Sequence, residues 1–249
     1  MKNLLLTTLL LVSASLFGQD RFIIEYRQKN EMDPEKVKEF ERERSGDSKG
    51  FISISGGPDQ KYELIYNQGS TSYSKLELVN NNQDAAATTF SISVGGEFKT
   101  LVSDPQSKMF NQEVVLDKVN YILKSPFKNY QWKITDIEET ILGYKTIKAV
   151  AEIDGKKIAA WYAPELKIDA GPGQINGLPG VILKTVSETG SKLGTILTVN
   201  AEKITLNPKK LPKQKLLKGK EITPEEFKQL QDDSRKKMLE SFSGGVDVK

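Results

Sequence analysis

Ala160-Trp161-Tyr162-Ala163-Pro164, then Gly171-Pro172-Gly173, then Gly177-Leu178-Pro179-Gly180-Val181-Ile182-Leu183 follow one another closely and decide how this chain is read. They spell a strand, an irregular loop, a turn and a second strand. Pro fixes φ at the value wanted in the second position of a type I or II turn, and a following Gly supplies the positive φ that type II needs in the third. Pro172-Gly173 and Pro179-Gly180 both fit, so Gly171, Pro172, Gly173, Gly177, Pro179 and Gly180 are read as structural turn residues. The second turn opens onto Val-Ile-Leu, a β-branched apolar run suited to the inside of a sheet.

Immediately upstream, segments 147–153 and 158–163 flank Asp154-Gly155, the dipeptide that favours a tight primed hairpin turn. Trp161 therefore stands on a strand anchored to its neighbour, with its indole face expected in the core. Outward from there, β-branched and aromatic segments recur at 22–27, 51–55, 62–66, 71–78, 89–94, 98–102, 119–123, 130–137, 144–153, 181–186 and 195–204. Gly, Asn, Asp or Pro separates most of them, and no long helical pattern lies between successive strands. The expected class is mainly β (α+β): one large curved antiparallel sheet or half-open β-barrel with two short helices. Asp33 caps the first helix, Pro34 suits its first position, and the helix is expected to run to about Arg44. Thr223 and Glu226 form a capping box for the second, Ile222 can staple onto Phe227, and Gly244-Gly245 ends it. This C-terminal helix is expected near the sheet edge or barrel mouth. The domain reading is a leader over 1–18, a β-rich domain over 19–207, a Lys-rich linker over 208–222 and the terminal helix over 223–243 packing on the same domain.

The first eighteen residues carry one cation, Lys2, then apolar runs broken by Thr7 and Thr8, then Ser13, Ala14 and Ser15. A bilayer span takes ~20 apolar residues, so this reads as a cleavable export signal. Cleavage is placed near Gly18-Gln19, with the bond after Ala14 as the alternative. The mature chain is then expected in the periplasm or outside the cell, without a transmembrane segment. There is no cysteine, so neither a lipid-acceptor thiol nor a disulfide framework is available. There is no histidine either, which removes Ser-His-Asp and Cys-His triads and the usual zinc and copper sites. No cofactor or metal is expected. The formal charge of +3 drops by one when Lys2 leaves, too small to imply nucleic acid.

Several constellations have a plainer reading. The glycines of 171–180 invite comparison with phosphate loops, but their spacing is wrong, two prolines remove donors, and a strand follows. Asp136, Glu138 and Glu139 offer paired carboxylates, with Asp136 and Glu138 expected on one strand face. A solvated polar face accounts for them better. Ser-x-x-Lys occurs at Ser72, Ser125 and Ser234 without the partner motifs of acyl-transfer enzymes. The lysines between Lys209 and Lys220 suit a solvated linker or a protected edge, or contact with anionic head groups.

Trp132-Lys133-Ile134, Ile141-Leu142-Gly143-Tyr144-Lys145-Thr146, Lys148-Ala149, Ala160-Trp161-Tyr162, Gly171-Pro172 and the hexapeptide from Gly177 to Ile182 come in a specific order. In that order and spacing the chain resembles the GLPGLI family, small exported proteins of Gram-negative bacteria, with Val181 in place of the signature's second leucine. The resemblance implies an exported, β-rich protein without an assigned reaction. Members often carry a cysteine near the Gly-Tyr-Lys step; Thr146 stands there in this chain, so a thiol role would not transfer. The leading expectation is a non-catalytic protein binding a hydrophobic or envelope-derived, lipid-like small molecule in a β-sheet cavity. Trp161, Tyr162, Asp169, Gln174, Asn176 and Leu178 are its candidate ligand contacts. An accessory module docking on an outer-membrane or secretion partner is the alternative, and a carboxylate-based enzyme ranks last.

Overall fold

The computed structural model describes residues 21–44, 59–76, 97–213 and 216–243. The leader with its cleavage points, the strands expected at 51–55 and 89–94, and the polar tract Asn80-Asn81-Asn82-Gln83-Asp84, whose composition suits a long hairpin loop, lie outside them. In chain order the elements are β1 (Arg21–Glu31), α1 (Pro34–Arg44), β2 (Gln60–Asn67), β3 (Ser70–Leu76), β4 (Glu97–Asp104), β5 (Met109–Leu116) and β6 (Val119–Pro126). They continue with β7 (Lys133–Ile141), β8 (Tyr144–Ile153), β9 (Lys156–Ala163), β10 (Val181–Glu188), β11 (Ile196–Leu206), β12 (Lys220–Ile222) and α2 (Pro224–Ser243). The twelve described strands make one sheet, in the order β12-β6-β5-β4-β3-β2-β1-β11-β10-β9-β8-β7. Every pairing is antiparallel except the short β12 on β6.

That order forces the sheet to curl. Nine strands separate β6 from β7, so along the sheet the two lie about 48 Å apart at ~4.8 Å per strand. The chain joins them in the seven steps from Pro126 to Lys133, which reach about 25 Å at most. The two ends of the sheet must therefore swing toward each other. No ladder joins β6 to β7 among the described residues, so the sheet curls without closing, in keeping with the curved sheet or half-open barrel that the sequence pattern predicts.

The concave face holds the core. Phe22, Ile24 and Tyr26 of β1, Leu64 of β2, Tyr73 of β3 and Leu101 of β4 are all buried there. Tyr62 stacks on Tyr73 with ring centroids 4.9 Å apart, and Phe22 stacks on Tyr66 at the same distance. Burying side chains of this size contributes about 1.5–3 kcal/mol each. A carbonyl oriented over this core is also bonded: the Tyr26 hydroxyl donates to the Ile182 oxygen at 2.6 Å.

Both helix starts follow their sequence signals. Asp33 Oδ1 accepts from the Glu35 amide at 2.9 Å, and the Thr223–Glu226 box closes in both directions at 2.8 and 3.1 Å. Phe227 of α2 is buried against Val114, Leu116 and Tyr121, which sets the helix at the β6 end of the sheet. Among the described residues no helix is long and apolar enough to cross a membrane.

Three details differ from the sequence reading. β5 is absent from the expected strands because Asn111-Gln112-Glu113 interrupts its apolar run, yet the ladder to β4 and β6 supplies what propensity does not. β12 falls in what read as linker, held by three residues of parallel pairing. On β7 the register shifts between Ile134 and Glu138, so the simple alternation that put Asp136 and Glu138 on one face is broken.

Candidate functional site

The signature stretch does more than turn. After β9 the chain passes over the concave face, burying Leu166, Ala170 and Leu178 before it enters β10. Backbone bonds weld it to the strand it precedes: Val181 N to Leu166 O at 3.0 Å and Ile182 N to Ala170 O at 2.8 Å. Its tip reaches the far wall, where Gln174 Nε2 donates to Gln112 Oε1 on β5 at 3.1 Å and to Ser125 Oγ on β6 at 3.4 Å. From Ala170 to Gln174 four residues cross a gap that, along the sheet, holds five strands, which again requires the curl. The β6–β7 connection braces the tip. Tyr130 and Trp132 stack at 5.1 Å; the Trp132 indole N–H donates to Asn176 O at 2.8 Å and the Tyr130 hydroxyl to Gln174 O at 3.4 Å.

Replacing Trp132 by Phe keeps a ring for this stack and removes one donor. A net hydrogen bond of this kind is worth about 1 kcal/mol, more if the carbonyl stays buried without a partner. The urea midpoint of Trp132→Phe is expected to fall by that amount, with the slope of the transition unchanged; an unaltered midpoint would show that the brace contributes nothing.

The two Pro-Gly pairs turn out to be unlike. Gly173 has φ +63, as its turn demands, whereas Gly180 does not adopt positive φ. A Cβ on Gly180 would lie 2.3 Å from Ala163 O and 2.8 Å from Ala163 C. Close approach of two backbones, and not the type II conformation, requires glycine there.

Between the loop and the ends of β2 to β5 lies a cavity of about 320 Å³. Tyr66, Phe110 and Phe127 give it aromatic walls, with the two phenyl rings 4.3 Å apart. Thr71, Ser103, Asp169 and Asn176 give it polar ones. Asp169 is exposed as a residue, but its carboxyl end rests against the loop, accepting from Gly177 N at 2.7 Å. Desolvation there raises its pKa, and the Gly177 and Leu178 amides offset part of that rise. Asn176 Oδ1 is buried and makes no hydrogen bond to the described protein atoms. Tyr130, nearby, has its pKa pushed up to about 12 by burial and then by the charge of Asp154.

Of the six candidate contacts, Asp169 and Asn176 line this cavity. Gln174 is committed to the far wall. Tyr162 and Leu178 are core residues, packed with Ala149, Ala160 and Ile182. Trp161 is buried but faces outward: it shares its register row with Lys148 and Lys184, whose amines sit 5.2 and 4.4 Å from the indole centroid. Lys184 is itself held by Glu139 at 2.9 Å. Thr146 is fully buried and donates to Glu139 O at 2.6 Å. The walls that sequence reasoning missed, Tyr66, Phe110 and Phe127, sit on strands or connections far apart in the chain, and no local pattern links them. Among the described residues no cluster of acidic side chains is arranged to hold a metal ion. Glu138 is engaged with Lys145 at 2.8 Å, beside the Glu139 pair. Ser234, from the third Ser-x-x-Lys, bonds Asp117 at 3.0 Å.

A family model described as N-glycanase peptide, N-terminal domain, matches residues 71–223 of the chain. Structures of PNGF-II in the C2 and P21 space groups are 20% and 19% identical to it, cover 86% and 87% of it, and superpose with TM-scores of 0.54 and 0.55. The match takes in 33% and 34% of those chains, so this chain spans about a third of their length. At that identity the likeness bears on fold alone. A putative outer membrane lipoprotein-sorting protein domain from Vibrio parahaemolyticus is 9% identical, with a TM-score of 0.33 over 79% of this chain and 89% of that one. No curated protein matches.

Proposed function

We propose, from the premise that this chain belongs to the N-glycanase peptide, N-terminal domain family, that it is an exported, non-catalytic binding domain. Its ligand sits in the 320 Å³ cavity under the inner-face loop, and that cavity is the observation that carries the reading. Small-molecule sites combine aromatic walls with a few polar groups in volumes of roughly 300–1,000 Å³. This one lies at the small end because Leu166, Ala170 and Leu178 fill the rest of the concave face. The ligand is accordingly compact: an apolar body against Phe110 and Phe127, with polar atoms toward Asp169 and Asn176. Support for a non-catalytic role comes from the lack of histidine and cysteine in the whole sequence. Support for export comes from the leader pattern of residues 1–18 and from the GLPGLI-type motifs.

Native mass spectrometry of protein purified from its own cells tests this. One small molecule per chain is expected, and it should vanish in Thr71→Phe, where a phenyl group enters the cavity. A ligand-free parent, or a ligand retained by that variant, would sink the reading. A second reading, an accessory domain that docks on a larger partner, draws on the one-third coverage of PNGF-II, in which the matched region adjoins much further sequence.

A further inference from the structure

From the end of β11 to the start of β12 the chain carries Lys209, Lys210, Lys213, Lys218 and, as the first residue of β12, Lys220, all exposed. None of the five is in an ion pair among the described residues, and no carboxylate occurs anywhere in the sequence from 207 to 220. Three acidic groups at this edge of the sheet are already engaged. Glu113 accepts from the Lys218 amide at 3.1 Å and from Asn120 at 3.3 Å; Glu221 holds Lys124 at 2.8 Å; Asp117 accepts from Ser234 at 3.0 Å. In the middle of this unneutralised run Leu216 is 85% exposed, more than any other large apolar residue described. The run is also anchored, since β12 pairs with β6 and the Gly219 backbone presses on Asn120, leaving no room for a side chain.

An exposed leucine among unpaired lysines gains nothing in water. At a bilayer interface the leucine enters the head-group layer while each lysine meets lipid phosphate. We propose that residues 207–213 and 216–220 form a docking surface for an anionic lipid bilayer, holding the domain at a membrane surface without crossing it. This does not depend on the cavity: a domain with an empty cavity would still bind the bilayer.

Co-sedimentation of the chain from Gln19 onward with phosphatidylglycerol vesicles and with phosphatidylcholine vesicles tests the proposal. Binding is expected only on the anionic vesicles, falling steeply between low and high salt. Each lysine near such a surface contributes about fivefold in affinity. The triple variant Lys209→Gln, Lys210→Gln, Lys213→Gln is therefore expected to lose about a hundredfold, and Leu216→Ser to weaken binding further with an unchanged circular dichroism spectrum. Equal binding to both vesicle types, undiminished binding by the triple variant, or binding to nucleic acid but not to anionic vesicles would overturn it.

Discussion

Above pH 10 this fold is expected to lose stability at about 1.4 kcal/mol per pH unit for each buried tyrosine that keeps its proton. Tyr26, Tyr62, Tyr73 and Tyr130 all have raised pKa values, and burial is the first cause for each. They are 0%, 6%, 5% and 8% exposed, so solvent does little to screen the effect. In the unfolded chain a phenol ionises from about pH 10. The folded protein holds these protons to higher pH, and therefore binds more of them than the unfolded chain does. Stability from this source is complete below pH 10 and is lost as pH rises toward the folded values. Tyr130 stops contributing near pH 12, where its folded form also ionises. With Tyr26 and Tyr73 throughout and Tyr130 up to about pH 12 the fall approaches about 4 kcal/mol per unit, enough to unfold a domain of ordinary stability within about two to three units, and Tyr62 adds to its onset. Urea unfolding at stepped pH reads this directly. Tyr26→Phe, which also removes the bond to Ile182 O, should be somewhat weaker at pH 8 and show a slope shallower by one proton. A midpoint that stays flat to pH 11 would contradict the assignment.

How much of this could be read from the chain differs by element. The Asp154-Gly155 hairpin was legible because a dipeptide with φ +52 and +70 decides its own conformation, and both helix caps were legible for the same local reason. The cavity was not. Phe110 and Phe127 meet across the β5–β6 hairpin, but Tyr66 on β2 and the crossing loop close the cavity with them only because six residues join opposite ends of a sheet, and strand order is a long-range property that alternation does not encode. Trp161 shows the same limit: the sequence marked it as buried, which it is, but period two cannot say which face of β9 lies inside. What lies over the indole is a pair of lysine ammonium groups on the outer face, whereas Tyr162 on the inner one packs against Leu178. Asp169 and Asn176 were singled out as the polar members of a shaped loop, and they reach the cavity because the loop that carries them is itself part of the core.

Gly180→Ala is expected to cause the largest loss of any single methyl group on this loop. The new Cβ would sit 2.3 Å from Ala163 O, 2.8 Å from Ala163 C and 3.1 Å from Pro164 Cα. All three are backbone atoms, so no side chain can rotate out of the way. The Ala163 oxygen also accepts from Leu166 N at 3.1 Å, and Leu166 O in turn receives Val181 N. Relieving the clash therefore drags the end of β9, a fully packed leucine and the start of β10 together. Overpacking of this kind costs about 3 kcal/mol or more, which for a domain of this size is roughly 6–12 °C in melting temperature. Gly155→Ala is the control: its φ is +70 but nothing lies within 4 Å of the new methyl, so only the backbone preference is lost, about 1 kcal/mol and a few degrees. Equal shifts in the two variants would mean that Gly180 is chosen for its own conformation and not for the approach of two chains. If the shifts separate as expected, the Gly-Leu-Pro-Gly signature marks the point where loop and strand are pressed into contact. Variants there would abolish the proposed ligand binding only by dismantling the loop, whereas substitutions at Phe110 or Asn176 would act on the cavity itself.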